Sequence, residues 1–233
     1  MHITAMTVCV DYAHHLERSL ERWKQIADKL LVVTAERDTA TRALCDRHNV
    51  PTHCTDLFWA NGAKFNKGRA IADAYYYKLL PVQDWMLFFD ADIVPPDGCR
   101  AYIEANVKRP EWLYGCYRTN EAGLLFGDPD IAGYFHLAHI SSPHMQVRPI
   151  VDTHWAHAGN YDSTFQDRWS KAERVRLDMR VIHLGDEPGA NWMGVGNKHL
   201  VDAMHRERRR RRGRWDHETP DNIRQLERQE RRG

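Results

Sequence analysis

"WMLFFDADIVPPDG" (residues 85–98) is the stretch on which the reading of this chain turns. Five bulky apolar residues, Trp85 to Phe89, run straight into Asp90-Ala91-Asp92. Ile93 and Val94 follow, and Pro95-Pro96 ends the run. An apolar run of this length bounded by turn residues reads as a strand buried on both faces. Two carboxylates at its end have two readings. They form a solvated turn, or they hold a hard cation, which prefers oxygen ligands. Asp makes up 20 of 233 residues, so chance supplies about one or two D-x-D tripeptides in such a chain. A second one, Asp128-Pro129-Asp130, follows Gly127 and reads as a turn. What distinguishes Asp90 and Asp92 is their place after a buried strand.

The segments upstream alternate strand and helix. "MTVCV" (6–10), "LLVVT" (30–34) and "VPTHC" (50–54) read as strands. Between the first two, Leu16, Leu20, Trp23, Ile26 and Leu30 recur on one helical face. "DTATRALCDRH" (38–48) reads as a helix capped by Asp38 or Thr39, and "NKGRAIADAYYYKLL" (66–80) as another, stopped by Pro81. This is the pattern of βαβ crossovers, so an α/β fold with a mostly parallel sheet is expected. Ligands of such sheets bind beyond the carboxyl ends of the strands, where Asp90 and Asp92 fall. Downstream the alternation loosens. "EWLYGCYR" (111–118), "GYFHLAH" (133–139) and "RVIHLG" (180–185) read as strands, with a short helix near 163–173 and another over 197–212. The long irregular segment after residue 140, rich in His, Pro, Asp and Trp, has the character of a functional loop.

Composition narrows the class. Hydrophobic content of 42% with eight Trp suits a packed core. Five cysteines without a C-x-x-C pair argue against a disulfide framework and a structural zinc, and point to free thiols. No apolar run approaches the ~18 residues of a membrane span, and no signal-peptide pattern opens the chain, so a cytoplasmic protein is expected. The net charge of +1 is uneven: residues 201–233 hold 11 basic and 7 acidic side chains, concentrated at Arg206, Arg208, Arg209, Arg210, Arg211, Arg212 and Arg214. Such a block binds polyanions or forms a solvated tail.

With these segments in order, the chain resembles GT-A glycosyltransferases, the nucleotide-sugar-dependent enzymes with a Rossmann-like fold and a D-x-D motif. "TVCVDYAHHLERSL" (7–20) is similar to the family's first strand and base-binding loop, and "VVTAERDTATRALC" (32–45) to its second strand and helix. "NGAKFNKGRAIADA" (61–74) resembles the lysine-glycine segment before D-x-D. "GNYDSTFQDRW" (159–169) resembles the acceptor segment, and "VIHLGDEPGANWMG" (181–194) the His-x-Gly segment and phosphate-covering loop.

The resemblance implies a catalytic domain over residues 1–200, with a nucleotide-binding half (1–100) and an acceptor half (101–200) carrying irregular loops, followed by the Arg-rich segment 201–233. It implies a UDP-sugar donor and Mn²⁺ or Mg²⁺, with Asp92 and His183 as metal ligands and Asp90 reaching the metal through water or the ribose. Asp11, Tyr12, Thr34 and Asp38 would frame the base. Ala91 would join the cofactor site, and Lys67 and Arg69 would lie near the nucleotide or sugar. Trp192 and Lys198 would close over the diphosphate. Asp167 would be the catalytic base, with Asp162 second. Two positions depart from the family pattern. Gln166-Asp167 stands where Glu-Asp is frequent, and Thr34 where an acid is often found. Inverting chemistry is favoured, although the His-Leu-Gly…Asn-Trp loop also resembles one of retaining members.

For the acceptor, the Arg run favours DNA carrying a hydroxymethyl-pyrimidine, as in small stand-alone phage enzymes, because phosphate contacts give sequence-independent affinity. A cell-envelope glycan or lipid-linked sugar is the alternative. A different class stays open: an inactive nucleotide-sugar-binding protein, or a nucleotidyltransferase. The absence of glycines from "VCVDYAHHLERS" (8–19) counts against the nucleotidyltransferase.

Overall fold

A computed structural model of the protein describes residues 1–79, 81–126, 130–131, 133–155, 157–159 and 161–185. All of them lie in one compact unit, Met1–Gly196. The elements run β1 (Ile3–Val8), α1 (Ala13–Ile26), β2 (Lys29–Thr34), α2 (Thr39–Arg47), β3 (Thr52–Cys54), α3 (Lys67–Ala74), β4 (Trp85–Asp90), β5 (Ile93–Val94), α4 (Cys99–Asn106), β6 (Leu113–Thr119), β7 (Phe135–His139), α5 (Tyr161–Gln166) and β8 (Arg174–His183). They build an eight-stranded sheet in the order β3-β2-β1-β4-β7-β6-β8-β5. The pairings β1–β2, β2–β3, β1–β4 and β6–β8 are parallel. Those of β4–β7, β6–β7 and β5–β8 are antiparallel. The parallel character expected from the sequence is complete up to β4 and mixed beyond it.

Alternation along β4 sorts the core into two layers. Trp85, Leu87 and Phe89 face α1, α2 and α4, where Leu16, Leu20, Trp23, Leu44 and Ile103 complete one cluster. Met86 and Phe88 face the other side and pack with Ala70, Ile71, Phe165 and Trp169. The same alternation sends Ala91 into the α1 layer and Asp90 toward α3.

Helix α1 does more than cover the sheet. On its buried face, the Ser19 hydroxyl is shared between the Leu16 carbonyl at 3.2 Å and the Ala91 carbonyl at 3.4 Å, and Trp23 Nε1 donates to the Ile93 carbonyl at 2.9 Å. Arg22 donates to the Pro95 carbonyl at 2.8 Å. Three carbonyls spaced by two residues are thus held by a single helix, and they lie on either side of the Asp92 carboxylate. Trp23 is fully buried, with its ring stacked on Phe89 at 3.9 Å.

Several expected boundaries move. β1 begins at Ile3 because Ile3 to Ala5 pair with β4, and it ends before Cys9 and Val10. β8 starts at Arg174, well before the expected residue 180. Its alternation of buried Leu177, Met179, Val181 and His183 with exposed Asp178, Arg180 and Ile182 is that of a strand with one wet face. α4 was not expected; only Cys99 and Ile103 of its eight residues are buried, too few to mark a helical stripe. All five cysteines are free thiols, four of them buried. No helix among the described residues is long and apolar enough to cross a membrane. The helix expected over 197–212, the Arg run, and the boundary at residue 200 lie outside the described residues.

Trp23→Ala removes both the stacked ring and the donor to Ile93. It is expected to lower the free energy of unfolding in urea by about 3–5 kcal/mol. Ser19→Ala, which loses one long hydrogen bond, is expected to cost about 1 kcal/mol.

Candidate active site

The site begins where β4 hands over to β5. Asp90 is the last residue of β4, and Ile93 opens β5, which pairs antiparallel with the end of β8. Ile93 lies opposite His183, and the Leu184 amide donates to the Asp92 carbonyl at 2.8 Å. This register brings His183 Nε2 to 3.5 Å from Asp92 Oδ2. Two residues 91 positions apart are therefore juxtaposed by backbone pairing alone.

Asp90 takes a different partner. Its Oδ1 pairs with Lys67 Nζ at the start of α3. Lys67 is buried, and its ammonium lies 5.0 Å over the Tyr161 ring. Burial works against the charge, but Asp90 and then Tyr161 outweigh it and hold Lys67 above the ordinary lysine value. The helix start is fixed by Asn66, whose Oδ1 accepts from the Arg69 amide at 2.8 Å and whose Nδ2 donates to the Thr153 carbonyl at 2.7 Å. Gly68 is obligatory here. A β-carbon on it would come within 1.9 Å of the Asp152 carbonyl oxygen.

Asp92 has no such cation. Burial, and next the Asp90 charge, push its carboxyl up to about 7. Its Oδ1 is buried and finds no hydrogen-bond partner among the described residues. A buried carboxylate oxygen with no hydrogen-bond partner among the described residues, beside an imidazole, is a donor set that a divalent cation would satisfy, so these residues fit one. Among the described residues no three His, Cys, Asp or Glu side chains converge as a cluster. Asp92 and His183, the two residues expected to hold the metal directly, face each other, while Asp90, expected to reach it through water or the ribose, is paired with Lys67. Two protein ligands suffice for a cation whose shell is completed by water and substrate phosphate.

Around this centre stand residues that the sequence did not single out. Tyr12 was expected, and its hydroxyl is pushed up to about 12 by burial and then by Asp92. His15 was not expected. Its ring packs on Tyr12 at 4.4 Å and on His14 at 4.1 Å, and its pKa falls to about 4 through burial, then His14, Arg18 and His183. Arg118 has its guanidinium between the Phe126 and Tyr134 rings, at 4.9 and 4.7 Å, and acts on Asp92. The doubled His14-His15 after the first strand was the only available signal for His15.

The other expected residues divide. Asp11, at φ 56°, pairs with Arg37 at 2.7 Å and lines a cleft of about 550 Å³ between α1 and α2, with His14, Glu17, Asp38 and Arg47. Asp38 is almost fully buried. Its carboxylate caps α2 by accepting from the Thr41 amide at 3.0 Å, and it accepts from the Asp11 amide at 2.7 Å and the Thr34 hydroxyl at 3.2 Å. Thr34 is fully buried. Asp38 thus lines the cleft and ties Thr34 to the Asp11 loop. The Ala91 side chain is buried in the α1 layer. Arg69 is half-buried on α3. Trp192, Lys198 and the arginines at 206, 208–212 and 214 lie outside the described residues.

The two base candidates lie in different surroundings. Asp167 is exposed and pairs at 2.8 Å with Arg174, which also binds Asp130 at 2.6 Å. It belongs to a surface ion-pair group at the root of β8. Asp162 lies in the first turn of α5, next to Tyr161, and acts together with Asp90 on both Tyr161 and His136. Sequence adjacency to the family pattern favoured Asp167; the pairing of Arg174 draws it away.

This architecture is the GT-A glycosyltransferase fold. Among solved structures, glucosyl-3-phosphoglycerate synthase from Mycobacterium tuberculosis, in complex with Mn²⁺ and UDP-glucose, superposes with a TM-score of 0.58 at 12% identity, over 88% of this chain and 75% of that one. The same enzyme with Mn²⁺, UDP and glucosyl-3-phosphoglycerate gives 0.55 at 12% identity, over 80% and 73%. A further mycobacterial protein gives 0.55 at 13%, over 83% and 71%. No protein-family model and no curated protein sequence matches the chain.

A double-mutant cycle of Lys67→Met and Asp90→Asn is expected to return a coupling of about 1–3 kcal/mol in urea unfolding, with each single variant costing more than the pair removed together.

Proposed function

We propose that the protein is a divalent-cation-dependent glycosyltransferase that moves a sugar from a UDP-sugar to an acceptor hydroxyl. The observation that carries this reading is the β4–β5 turn. There Asp92, with a buried and partnerless oxygen, meets His183 at the carboxyl end of the sheet. The structural neighbours support it, since they were solved with Mn²⁺ or Mg²⁺ and with UDP or UDP-glucose.

In this reading Asp92 and His183 hold the cation. When bound, it neutralises charge that develops on the leaving diphosphate. Lys67 keeps Asp90 paired until the donor arrives and supplies positive charge beside the departing oxygens. Tyr12 and the Asp11 loop flank the nucleotide, with Asp38 bracing that loop from behind. Asp162 takes the proton of the attacking hydroxyl, a role a half-buried carboxylate fills as general base. The reaction forms a bond from the acceptor oxygen to the anomeric carbon. It breaks the bond from that carbon to the diphosphate, whose oxygen keeps the electron pair. An Asp162 base on the face opposite the leaving group corresponds to inversion.

The acceptor reading rests on sequence. The arginines from Arg206 to Arg214 favour a DNA acceptor through phosphate contacts, and no described residue adds to that support. The test is a panel of radiolabelled nucleotide sugars against hydroxymethylated DNA and against glycan acceptors, with and without Mn²⁺. Turnover is expected with a UDP-sugar and Mn²⁺, and Asp92→Asn should lower it by about 100-fold or more. Binding of UDP-sugars with no turnover on any acceptor or on water would assign the chain to the inactive binders. Near-normal turnover by Asp92→Asn would remove the proposed centre.

A further inference from the structure

A cavity of about 240 Å³ lies at the end of β4 remote from Asp90, with Tyr75, Tyr76, Val82, Ile140, Met145 and Arg148 among its walls. Val82 precedes β4, and the Ile140 amide, just past β7, donates to the Asp84 carbonyl at 2.8 Å. The cavity is therefore a full strand length from the candidate cation site, on the α3 side of the sheet. Its floor is apolar: Tyr75, Val82 and Met145 are all buried.

Both walls are held in place by bonds made around the cavity. One wall is the π-helical turn Tyr75–Leu79, which continues α3; such turns recur at functional sites. The other is the segment 145–150. Gln146 Nε2 donates to the Ile140 carbonyl at 2.6 Å. Arg168 donates to the Pro149 carbonyl at 2.8 Å and to the Ile150 carbonyl at 2.9 Å. The Ile150 amide donates to the Tyr76 hydroxyl at 3.0 Å, which ties the two walls together. Anchored on either side, Arg148 holds its guanidinium over the Tyr76 ring at 5.4 Å. Among the described residues Arg148 makes no ion pair and no hydrogen bond. The Tyr75 hydroxyl also has no hydrogen-bond partner among them. Burial, and then Tyr76, hold that hydroxyl above the ordinary tyrosine value, so it stays a donor. No acidic side chain lines the cavity.

These features select a ligand. The apolar floor favours an apolar body, and the tyrosine rings favour a flat one. A guanidinium stacked on a ring keeps its N–H fork for a carboxylate or a phosphate, and here no acid competes for it. About 240 Å³ equals the volume of about eight waters, so one ring with a short head group fills the space. We infer that this cavity is a second binding site, for a small aromatic anion whose ring lies on the apolar floor and whose carboxylate or phosphate meets Arg148. The site stands apart from the glycosyltransferase reading and survives or fails without it.

The test is methyl NMR on the full chain, without metal or nucleotide sugar. Phenyl phosphate and benzoate serve as anionic probes, and phenol and inorganic phosphate as body and head alone. The methyl signals of Met145 and Val82 report on the cavity. At least one anionic probe is expected to shift them with a millimolar Kd, about tenfold or more below that of phenol and of inorganic phosphate. The tighter of the two anions names the head group. Arg148 is exposed and unpaired among the described residues, so its variants are expected to keep the fold. Arg148→Met is expected to weaken the anion about tenfold, to the level of phenol, and Arg148→Glu to make phenol the better ligand. Phenol binding as tightly as the anions, or anion binding unchanged by Arg148→Met, overturns the site. So does the absence of any shift at Met145 and Val82, including the case in which signals near Lys67 shift instead.

Discussion

The structure depends on one helix holding one turn. α1 grips the carbonyls of Ala91, Ile93 and Pro95 through Ser19, Trp23 and Arg22. These donors are spaced for consecutive faces of a helix, and the acceptors for alternate residues of an extended chain. The two periodicities meet along a single line. The result is a D-x-D turn whose backbone cannot relax when its side chains are desolvated. That rigidity lets Asp92 remain in a place where burial raises its pKa to about 7. A looser turn would let the carboxylate swing to water.

Much of this was legible in the sequence because it depends on local pattern. The periodic Leu16, Leu20, Trp23 and Ile26, the capping role of Asp38, and the apolar run into Asp90 are all set by near neighbours. Alternation also placed Asp90 and Ala91 on opposite faces, although the sequence reading assigned both to the cofactor site. What the sequence could not supply was pairing across distance. Asp167 was read as the base from its place in the acceptor segment 159–169; its ion pair with Arg174 was not legible, because nothing local predicts that β8 begins at Arg174.

The two sides of the sheet divide the labour. The α1 face is apolar and continuous, and it fixes the backbone of the centre. The α3 and α5 face carries the polar groups: Lys67, Tyr161, Asp162 and His136 all project from it or toward it. Asp90 points to this second face and is matched by a lysine, whereas Asp92 meets β8 and is matched by an imidazole. Two acids separated by one residue thus acquire different partners, which is why a single tripeptide can serve both a structural ion pair and a candidate cation site.

β5 is only two residues long, yet it is where the first half of the chain meets the last strand of the sheet. Contacts between residues so distant in sequence form late, because the closure entropy of a long loop must be met first. Asp92 emerges early during synthesis, whereas His183 arrives with the final described strand. A chain still growing would display the acidic turn without its histidine. A cation held jointly by Asp92 and His183 would therefore report that the sheet has been completed.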